Sequence, residues 1–119
     1  MKICWITMNV RDIEVSKTFY QSLGLNIARE FEIPELGKFA FLQANGDTEI
    51  ELIEFLAKKD AAPIRDGISF CLALENYEDV LAASRDKGIL IRGPEKLGGK
   101  LDCFFIEDPD GMSIQIIKA

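Results

Sequence analysis

The sequence predicts an α+β fold of two tandem βαβββ modules, with curved mixed sheets around a cleft. One observation is local: segments with the two-residue alternation of strands flank two segments with the 3.6-residue period of amphipathic helices. The other is global, because a shift of 64 residues aligns the two halves without a gap over most of their length. Gly24 then aligns with Gly88, and Phe41 with Phe105. Such a repeat indicates a duplicated βαβββ unit.

The first module begins with a predicted strand over residues 3–10, in which Trp5 and Thr7 would share one side. Asp12 is the expected N-cap of the following helix, and Gly24 is expected to end that helix at the C′ position. Three strands are predicted next, with a hairpin corner at 45–47 between the last two. Their sequences are LNIARE, GKFAFLQA and TEIELIEF.

The second module is predicted to repeat this order. Residues 68–76 form its first strand, and Asn76 is a second expected N-cap. Asp79 at the N3 position resembles a capping box, and Gly88 is expected to end the helix. The remaining predicted strands are ILIRG, KLDCFFIED and GMSIQIIKA.

A chain of 119 residues has the usual size of one domain. We predict a single domain made of module 1–57 and module 66–119, joined by a polar connector around 57–67. The formal net charge of −6 argues against non-specific nucleic-acid binding and against docking on an anionic membrane. No apolar run approaches membrane-spanning length, and the N-terminal segment is too polar for a secretory signal. We therefore expect a cytoplasmic protein.

The cysteine and histidine counts restrict the chemistry. Cys4, Cys71 and Cys103 are odd in number and lack metal-binding spacing, so we expect them to be reduced and mostly buried. The chain has no histidine, which excludes a Cys-His nucleophile and removes the commonest transition-metal ligand.

The alternation of residues 49–55 predicts which side chains face the cleft. If Ile50 and Leu52 lie against the helix, Glu51 must point to the opposite, open face of the sheet. The same parity places Gln115 on the open face of the second module. The cleft would then be lined by two pairs related by the repeat: Trp5 with Ser69, and Glu51 with Gln115.

Three segments carry a family resemblance that spans essentially the whole chain. They are WITMNVRDIEVSKTFYQSLGL (5–25), EIELIEF (49–55) and FFIEDPDGMSIQII (104–117). Together they resemble the vicinal oxygen chelate superfamily, which includes glyoxalase I, bleomycin-resistance proteins and extradiol dioxygenases. The resemblance implies paired βαβββ modules, usually assembled as a homodimer with a cleft between sheets.

The resemblance also implies where a metal centre would lie. Trp5 and Ser69 stand at positions where the family has histidine, and Glu51 and Gln115 stand at its glutamate positions. An indole N–H cannot ligate a metal, and the serine and glutamine oxygens are neutral and weak ligands for transition metals. We therefore predict a cleft with no metal and no other cofactor.

The first functional hypothesis is a metal-free protein that binds and sequesters a small organic ligand. Trp5 would stack on the ligand, and Glu51 would pair with a cationic or hydroxyl group. The other predicted ligand-binding residues are Thr7, Ser69, Gln115 and an apolar wall of Phe39 and Phe41, whose face the sequence leaves open. Ser69 and Gln115 are equally expected to hydrogen-bond to each other.

Two rival hypotheses remain open. One is a metal-dependent glyoxalase-like lyase or isomerase, or a dioxygenase-like enzyme, in which Glu51 is the only candidate catalytic residue. The other is an interaction protein with a vestigial site. The segments 31–39 and 92–100 are predicted loops, and the second is a candidate lid over the cleft, in which Arg92, Lys96 and Lys100 could attract an anion. The sequence leaves open the ligand and whether modules pair within or between chains.

Overall fold

A computed structural model of the chain describes residues 1–44, 46, 48–57 and 67–119. The predicted hairpin corner at 45–47 and the connector around 57–67 fall largely outside these residues. The elements are β1 (Trp5–Asn9), α1 (Ile13–Ser22), β2 (Asn26–Ile33), β3 (Gly37–Gln43), β4 (Glu49–Phe55), β5 (Phe70–Leu74), α2 (Tyr77–Lys87), β6 (Leu90–Leu97), β7 (Leu101–Glu107) and β8 (Ser113–Lys118).

These elements form two four-stranded mixed sheets, ordered β1-β4-β3-β2 and β5-β8-β7-β6. In each sheet the first strand runs parallel to the fourth, and the other neighbours are antiparallel. The α+β fold of two βαβββ modules is therefore confirmed. The chain separates into two compact units, unit 1 (Met1–Pro63) and unit 2 (Ile64–Ala119). The boundaries 1–57 and 66–119, and the cleft, remain predictions.

The helix-facing side of each sheet forms the core of its unit. In unit 1, Ile50 and Leu52 are buried, as the alternation of β4 predicted, and Leu42 on β3 is fully buried as well. In unit 2, the equivalent fully buried side chains are Phe104, Ile106, Ile114 and Ile116. Because one period-two pattern accounts for both cores, the outward side of each sheet carries the alternate residues.

Helix α1 begins and ends where the sequence predicts. The Asp12 carboxylate accepts hydrogen bonds from the backbone N–H groups of Glu14 and Val15, at 3.0 and 3.3 Å. The buried carboxylate of Glu54 accepts a third, from the N–H of Ile13 at 2.8 Å. Gly24 follows the helix at φ +104°, a conformation that favours glycine. Together these groups satisfy N–H donors that would otherwise lack partners.

Helix α2 differs from α1 at its start. Asn76 occupies the N-cap position, but its side chain makes no capping hydrogen bond, so the predicted capping box is wrong. The residue equivalent to Glu54 is Lys118, which cannot accept a hydrogen bond from a helix N–H. Lys118 instead pairs with Glu78 at 3.1 Å. Gly88 ends the helix at φ +71°, as predicted. Among the described residues, neither helix is long and apolar enough to cross a membrane.

The two predicted loops are mostly strand. Residues 31–33 and 37–39 belong to β2 and β3, and residues 92–97 belong to β6. The loop prediction for 92–100 is therefore wrong, since only residues 98–100 form the turn of a hairpin, and the lid over the cleft stays a prediction. Cross-strand pairing explains the difference: Lys96 lies opposite Asp102, and their charged groups are 2.7 Å apart.

The Asp-Pro-Asp-Gly corner fixes the start of β8. The buried Asp108 carboxylate accepts hydrogen bonds from the N–H groups of Asp110 and Met112, at 2.9 and 2.8 Å. The Asp108 N–H donates to the Met112 carbonyl at 3.0 Å. Gly111 has φ +84°, which closes the turn. The corner thus sets the register that places Ile106 opposite Ile114.

We predict that Asp108→Ala lowers the free energy of unfolding by about 1–3 kcal/mol, because it leaves two N–H groups without their acceptor. Asp108→Asn retains an acceptor oxygen and is expected to lose less. Chemical denaturation followed by far-ultraviolet circular dichroism measures both variants. Equal stability of wild type and Asp108→Ala would show that the corner does not depend on this carboxylate.

Candidate functional site

The outward side of the unit 1 sheet brings together most of the predicted site residues. Residues directly opposite in a sheet point to the same face. Thr7 lies opposite Glu51 in the β1–β4 ladder, and Phe41 lies opposite Glu51 in the β3–β4 ladder. This settles the face of Phe39 and Phe41, which the sequence left open. We call this side the aromatic face; it comprises Trp5, Thr7, Arg29, Phe31, Phe39, Phe41, Glu49, Glu51, Ile53 and Phe55.

The rings of the aromatic face lie in two layers. Phe39 and Phe41 form a lower layer, with 8% and 5% of their surface exposed. Trp5 and Phe31 lie above them and are 47% and 46% exposed. Trp5 packs edge-to-face on Phe41 at a centroid distance of 5.3 Å, and Phe31 stacks on Phe39 at 4.9 Å. The predicted apolar wall of Phe39 and Phe41 is therefore a buried layer, on which the exposed rings of Trp5 and Phe31 rest.

Arg29 crosses the aromatic face from β2 to β4. Its guanidinium carbon lies 3.9 Å from the centroid of the Phe41 ring. Its two terminal nitrogens donate to the two carboxylate oxygens of Glu49, at 2.8 and 3.0 Å. This planar bidentate geometry fixes the orientation of the guanidinium. The charge of Glu49 is thereby matched within the face.

Sequence analysis missed Arg29, Phe31 and Glu49. For Glu49 the alternation of β4 was a usable signal, because it places Glu49 on the same outward side as Glu51. The side of Arg29 depends on a register shift between Ile27 and Arg29 in the β2–β3 ladder. A bulge of this kind changes which face a residue occupies, and no pattern in β2 marks it.

Glu51 has a neutral partner. The Thr7 hydroxyl donates to one Glu51 carboxylate oxygen at 2.6 Å. Within the described ranges, no cationic side chain forms an ion pair with Glu51. The carboxylate is half-buried beside the rings of the aromatic face. It is thus an oriented anionic group with capacity for a further hydrogen bond or charge.

The corresponding side of unit 2 carries neutral groups at the aligned positions. Gln115 is half-buried and lies opposite Cys71 and Phe105. Ser69 is exposed and precedes β5, and no hydrogen bond joins it to Gln115 in the described part of the chain. Cys71, at the position equivalent to Thr7, is therefore the direct neighbour of Gln115. Arg92 lies over the Phe105 ring at 4.2 Å, as Arg29 lies over Phe41.

Comparison with known proteins agrees with this architecture. Residues 2–116 match the family model described as the Glyoxalase/Bleomycin resistance protein/Dioxygenase superfamily. The chain belongs to this superfamily. The predicted family resemblance is therefore confirmed.

Three similar proteins align with 99% of this chain. A lactoylglutathione lyase of Neisseria meningitidis serogroup A is 31% identical, over 99% of this chain and 91% of the relative. Glyoxalase I of Leishmania major superposes with a TM-score of 0.80 at 20% identity, over 99% of this chain and 86% of that one. TnmS3, an antibiotic binding protein from Streptomyces, gives a TM-score of 0.72 at 19% identity, over 99% and 95%. At these identities the two structures show a common fold.

The donor atoms at the four positions implied by the superfamily do not fit a transition metal. Only Glu51 supplies an anionic ligand, and one of its oxygens already accepts the Thr7 hydroxyl hydrogen bond. Trp5 has no lone pair to donate, and the oxygens of Ser69 and Gln115 are neutral. Among the described residues, no three His, Cys, Asp or Glu side chains converge as a metal-binding group.

The cysteines of this superfamily member correct one prediction. Cys103 is buried as expected, but Cys4 and Cys71 are exposed. Cys4 precedes β1, and Cys71 lies on the outward side of the edge strand β5, where the core does not cover it. The three thiols are free. Partial burial of its sulfur, with a smaller contribution from Cys103, raises the pKa of the Cys71 thiol. The higher pKa disfavours the nucleophilic thiolate.

We predict that protein purified without chelator contains far less than one transition-metal ion per chain, because three of the four positions lack strong ligands. Plasma emission spectrometry of wild type and Glu51→Ala measures the metal content. Near-stoichiometric metal that disappears in Glu51→Ala would contradict the prediction.

Proposed function

We propose that this superfamily member binds a small organic ligand on the aromatic face, without a metal ion. The observation that carries the proposal is the exposed Trp5 ring on the same face as the Glu51 carboxylate, which Thr7 orients. A ligand with an apolar planar body would cover Trp5. A cationic or hydrogen-bond-donating group on that ligand would reach Glu51. Such a combination of apolar surface with few oriented polar groups suits a compact ligand.

The exposure of Trp5 and Phe31 supports this role for the aromatic face. Exposing a tryptophan and a phenylalanine on one side of a sheet has a free-energy cost in water, of order 25 cal/mol per Å² of apolar surface. A ligand or a protein surface that covers Trp5 and Phe31 recovers that free energy. The carboxylate of Glu51 sets the chemical preference, because an unpaired charge beside apolar rings favours a ligand with a matching group.

The aligned residues of unit 2 are proposed as polar contacts. Gln115 offers an amide that both donates and accepts hydrogen bonds, and Ser69 offers a hydroxyl. Neither carries a charge, so the role proposed for them is hydrogen bonding rather than proton transfer. The fold is compatible with a binding role, because the structural neighbour TnmS3 is an antibiotic binding protein.

We further propose a cytoplasmic homodimer. The family resemblance supports the dimer. The free thiols of Cys4 and Cys71, both exposed, favour a reducing compartment such as the cytoplasm.

A second candidate function is that of a lyase. The supporting observation is that relatives named lactoylglutathione lyase match the chain over nearly its full length at 29–31% identity. Glu51 is then the candidate general base. The aligned positions, however, offer no group that would stabilise a developing negative charge on the substrate. Cleavage of lactoylglutathione, measured with and without added Ni²⁺ or Zn²⁺, tests this candidate, and Glu51→Gln would abolish the activity if it is correct.

We predict that small aromatic amines raise the melting temperature of the protein in the presence of excess EDTA. Trp5→Ala is expected to weaken binding about tenfold, and Glu51→Gln by a similar or larger factor, because they remove the stacking surface and the charge. Thr7→Ser keeps the hydroxyl and is expected to bind like wild type, whereas Thr7→Val weakens binding. Isothermal titration calorimetry measures each affinity.

Val15→Ala is the control, because Val15 is an apolar side chain on α1 with an exposed fraction of 50%, close to that of Trp5. Unchanged affinity in Trp5→Ala would remove the aromatic face from the site. Stabilisation that appears only with added metal would favour the lyase.

A further inference from the structure

The guanidinium of Arg29 is covered on one side by an aromatic ring, and the Arg29 side chain is half-exposed. The Phe41 ring covers the inner face of the guanidinium at 3.9 Å, and the Arg29 side chain is nonetheless 48% exposed. Glu49, whose side chain is only 14% exposed, holds both terminal nitrogens. The guanidinium is therefore held in a fixed orientation by Phe41 and Glu49, and the exposed part of the Arg29 side chain lies away from the Phe41 ring.

The guanidinium lies close to the groups assigned to ligand binding. Glu49 lies opposite Trp5 in the β1–β4 ladder, so the clamp that holds Arg29 adjoins the exposed indole. Phe41, beneath the guanidinium, contacts Trp5 edge-to-face and lies opposite Glu51. A planar group that touches Trp5 and reaches Glu51 would therefore also extend over Arg29.

A guanidinium clamped in this way has limited chemistry left. Its charge is matched by Glu49, so it attracts a second anion weakly. Among the described residues its one ring contact is with Phe41, and the side chain is 48% exposed. A guanidinium stacks on the face of an aromatic ring, with the strongest attraction for electron-rich rings. Lysine offers a compact charge without such a planar group.

We propose that Arg29 is a specificity-determining residue that stacks on the ligand, and that the ligand class is amines with a planar, electron-rich aromatic ring. The ring would lie between Arg29 and Trp5, and the ammonium group would pair with Glu51. This inference rests on the proposed binding function and adds to it the role of Arg29 and the requirement for an electron-rich ring.

Three amines test the proposal, because each carries one ammonium group and they differ in the ring attached to it. They are tryptamine, 2-phenylethylamine and its saturated analogue 2-cyclohexylethylamine. Calorimetric titration in excess EDTA gives the ratio of the cyclohexyl to the phenyl dissociation constant. Wild type is expected to prefer the phenyl compound about three- to tenfold, and to bind tryptamine more tightly still.

Arg29→Lys preserves the charge and removes the planar guanidinium, so the preference is expected to fall by about threefold or more. Arg92→Lys is the matched control, because Arg92 covers Phe105 in unit 2 at 4.2 Å and pairs with Glu95 at 3.1 Å. It is expected to keep the wild-type preference. Glu49→Gln, which loosens the clamp and leaves Arg29 in place, is expected to lower the preference partly and serves if Arg29→Lys does not fold.

The outcomes separate the two claims. An unchanged phenyl preference in both Arg29→Lys and Glu49→Gln, with amine binding still lost in Trp5→Ala, overturns the role of Arg29 alone. An equal loss of preference in Arg92→Lys also overturns it. Failure of all three amines to bind wild type overturns this ligand class, whereas binding that Trp5→Ala leaves unchanged overturns the proposed function.

Discussion

The two-residue alternation of β4 decides which side chains of unit 1 face the helix and which face outward. β4 is hydrogen-bonded to β1 on one side and β3 on the other, so its parity is passed to both neighbours through the ladder register. Leu52 enters the core, and Glu51 emerges beside Thr7 and Phe41. A slip of one residue would bury Glu51 and expose Leu52, which would remove both the core and the aromatic face. The hydrophobic core and the candidate site are thus two consequences of one register.

This constraint explains how much of the structure the sequence predicts. The alternation of β4 and β8 can be read directly from the sequence, and it occurs in both copies of the repeat. The core faces and the outward position of Glu51 follow from that parity, and the fold follows from the repeat together with the strand and helix periods. Helix α1 was equally predictable, since Asp12 and Gly24 act through local hydrogen bonds and local backbone conformation.

The features that sequence analysis missed depend on register or on competition between partners. Arg29 reaches Glu49 only because the β2–β3 ladder shifts near Ile27, and a bulge leaves no periodic signal. The segment 92–100 was predicted to be a loop, but cross-strand pairs extend β6 to Leu97, so that only residues 98–100 form the turn. Asn76 has the right residue type for a cap and makes no capping bond. In each case the sequence shows what a residue can do, and the neighbouring strand or helix determines what it does.

The two units have diverged in charge while keeping the same backbone plan. Thr7 and Glu51 in unit 1 correspond to Cys71 and Gln115 in unit 2, so an oriented carboxylate is matched by a neutral amide. Glu54, which caps α1, corresponds to Lys118, which leaves α2 without that cap. In both units an arginine lies opposite a phenylalanine and over its ring, although Arg29 and Arg92 do not occupy aligned positions of the repeat. Three of the four aligned positions hold no strong transition-metal ligand, whereas the aromatic face of unit 1 presents an exposed indole and an oriented carboxylate. We therefore place the function on that face.

Trp5 is the only tryptophan of the chain, so its fluorescence reports directly on the aromatic face. The most direct test is a titration of that fluorescence, in excess EDTA, with an aromatic amine that has no indole ring, such as 2-phenylethylamine. The account predicts a saturable change in wild type that Glu51→Gln weakens about tenfold or more. A fluorescence change that requires added Ni²⁺ or Zn²⁺, or no change at a concentration that stabilises the protein, would contradict it.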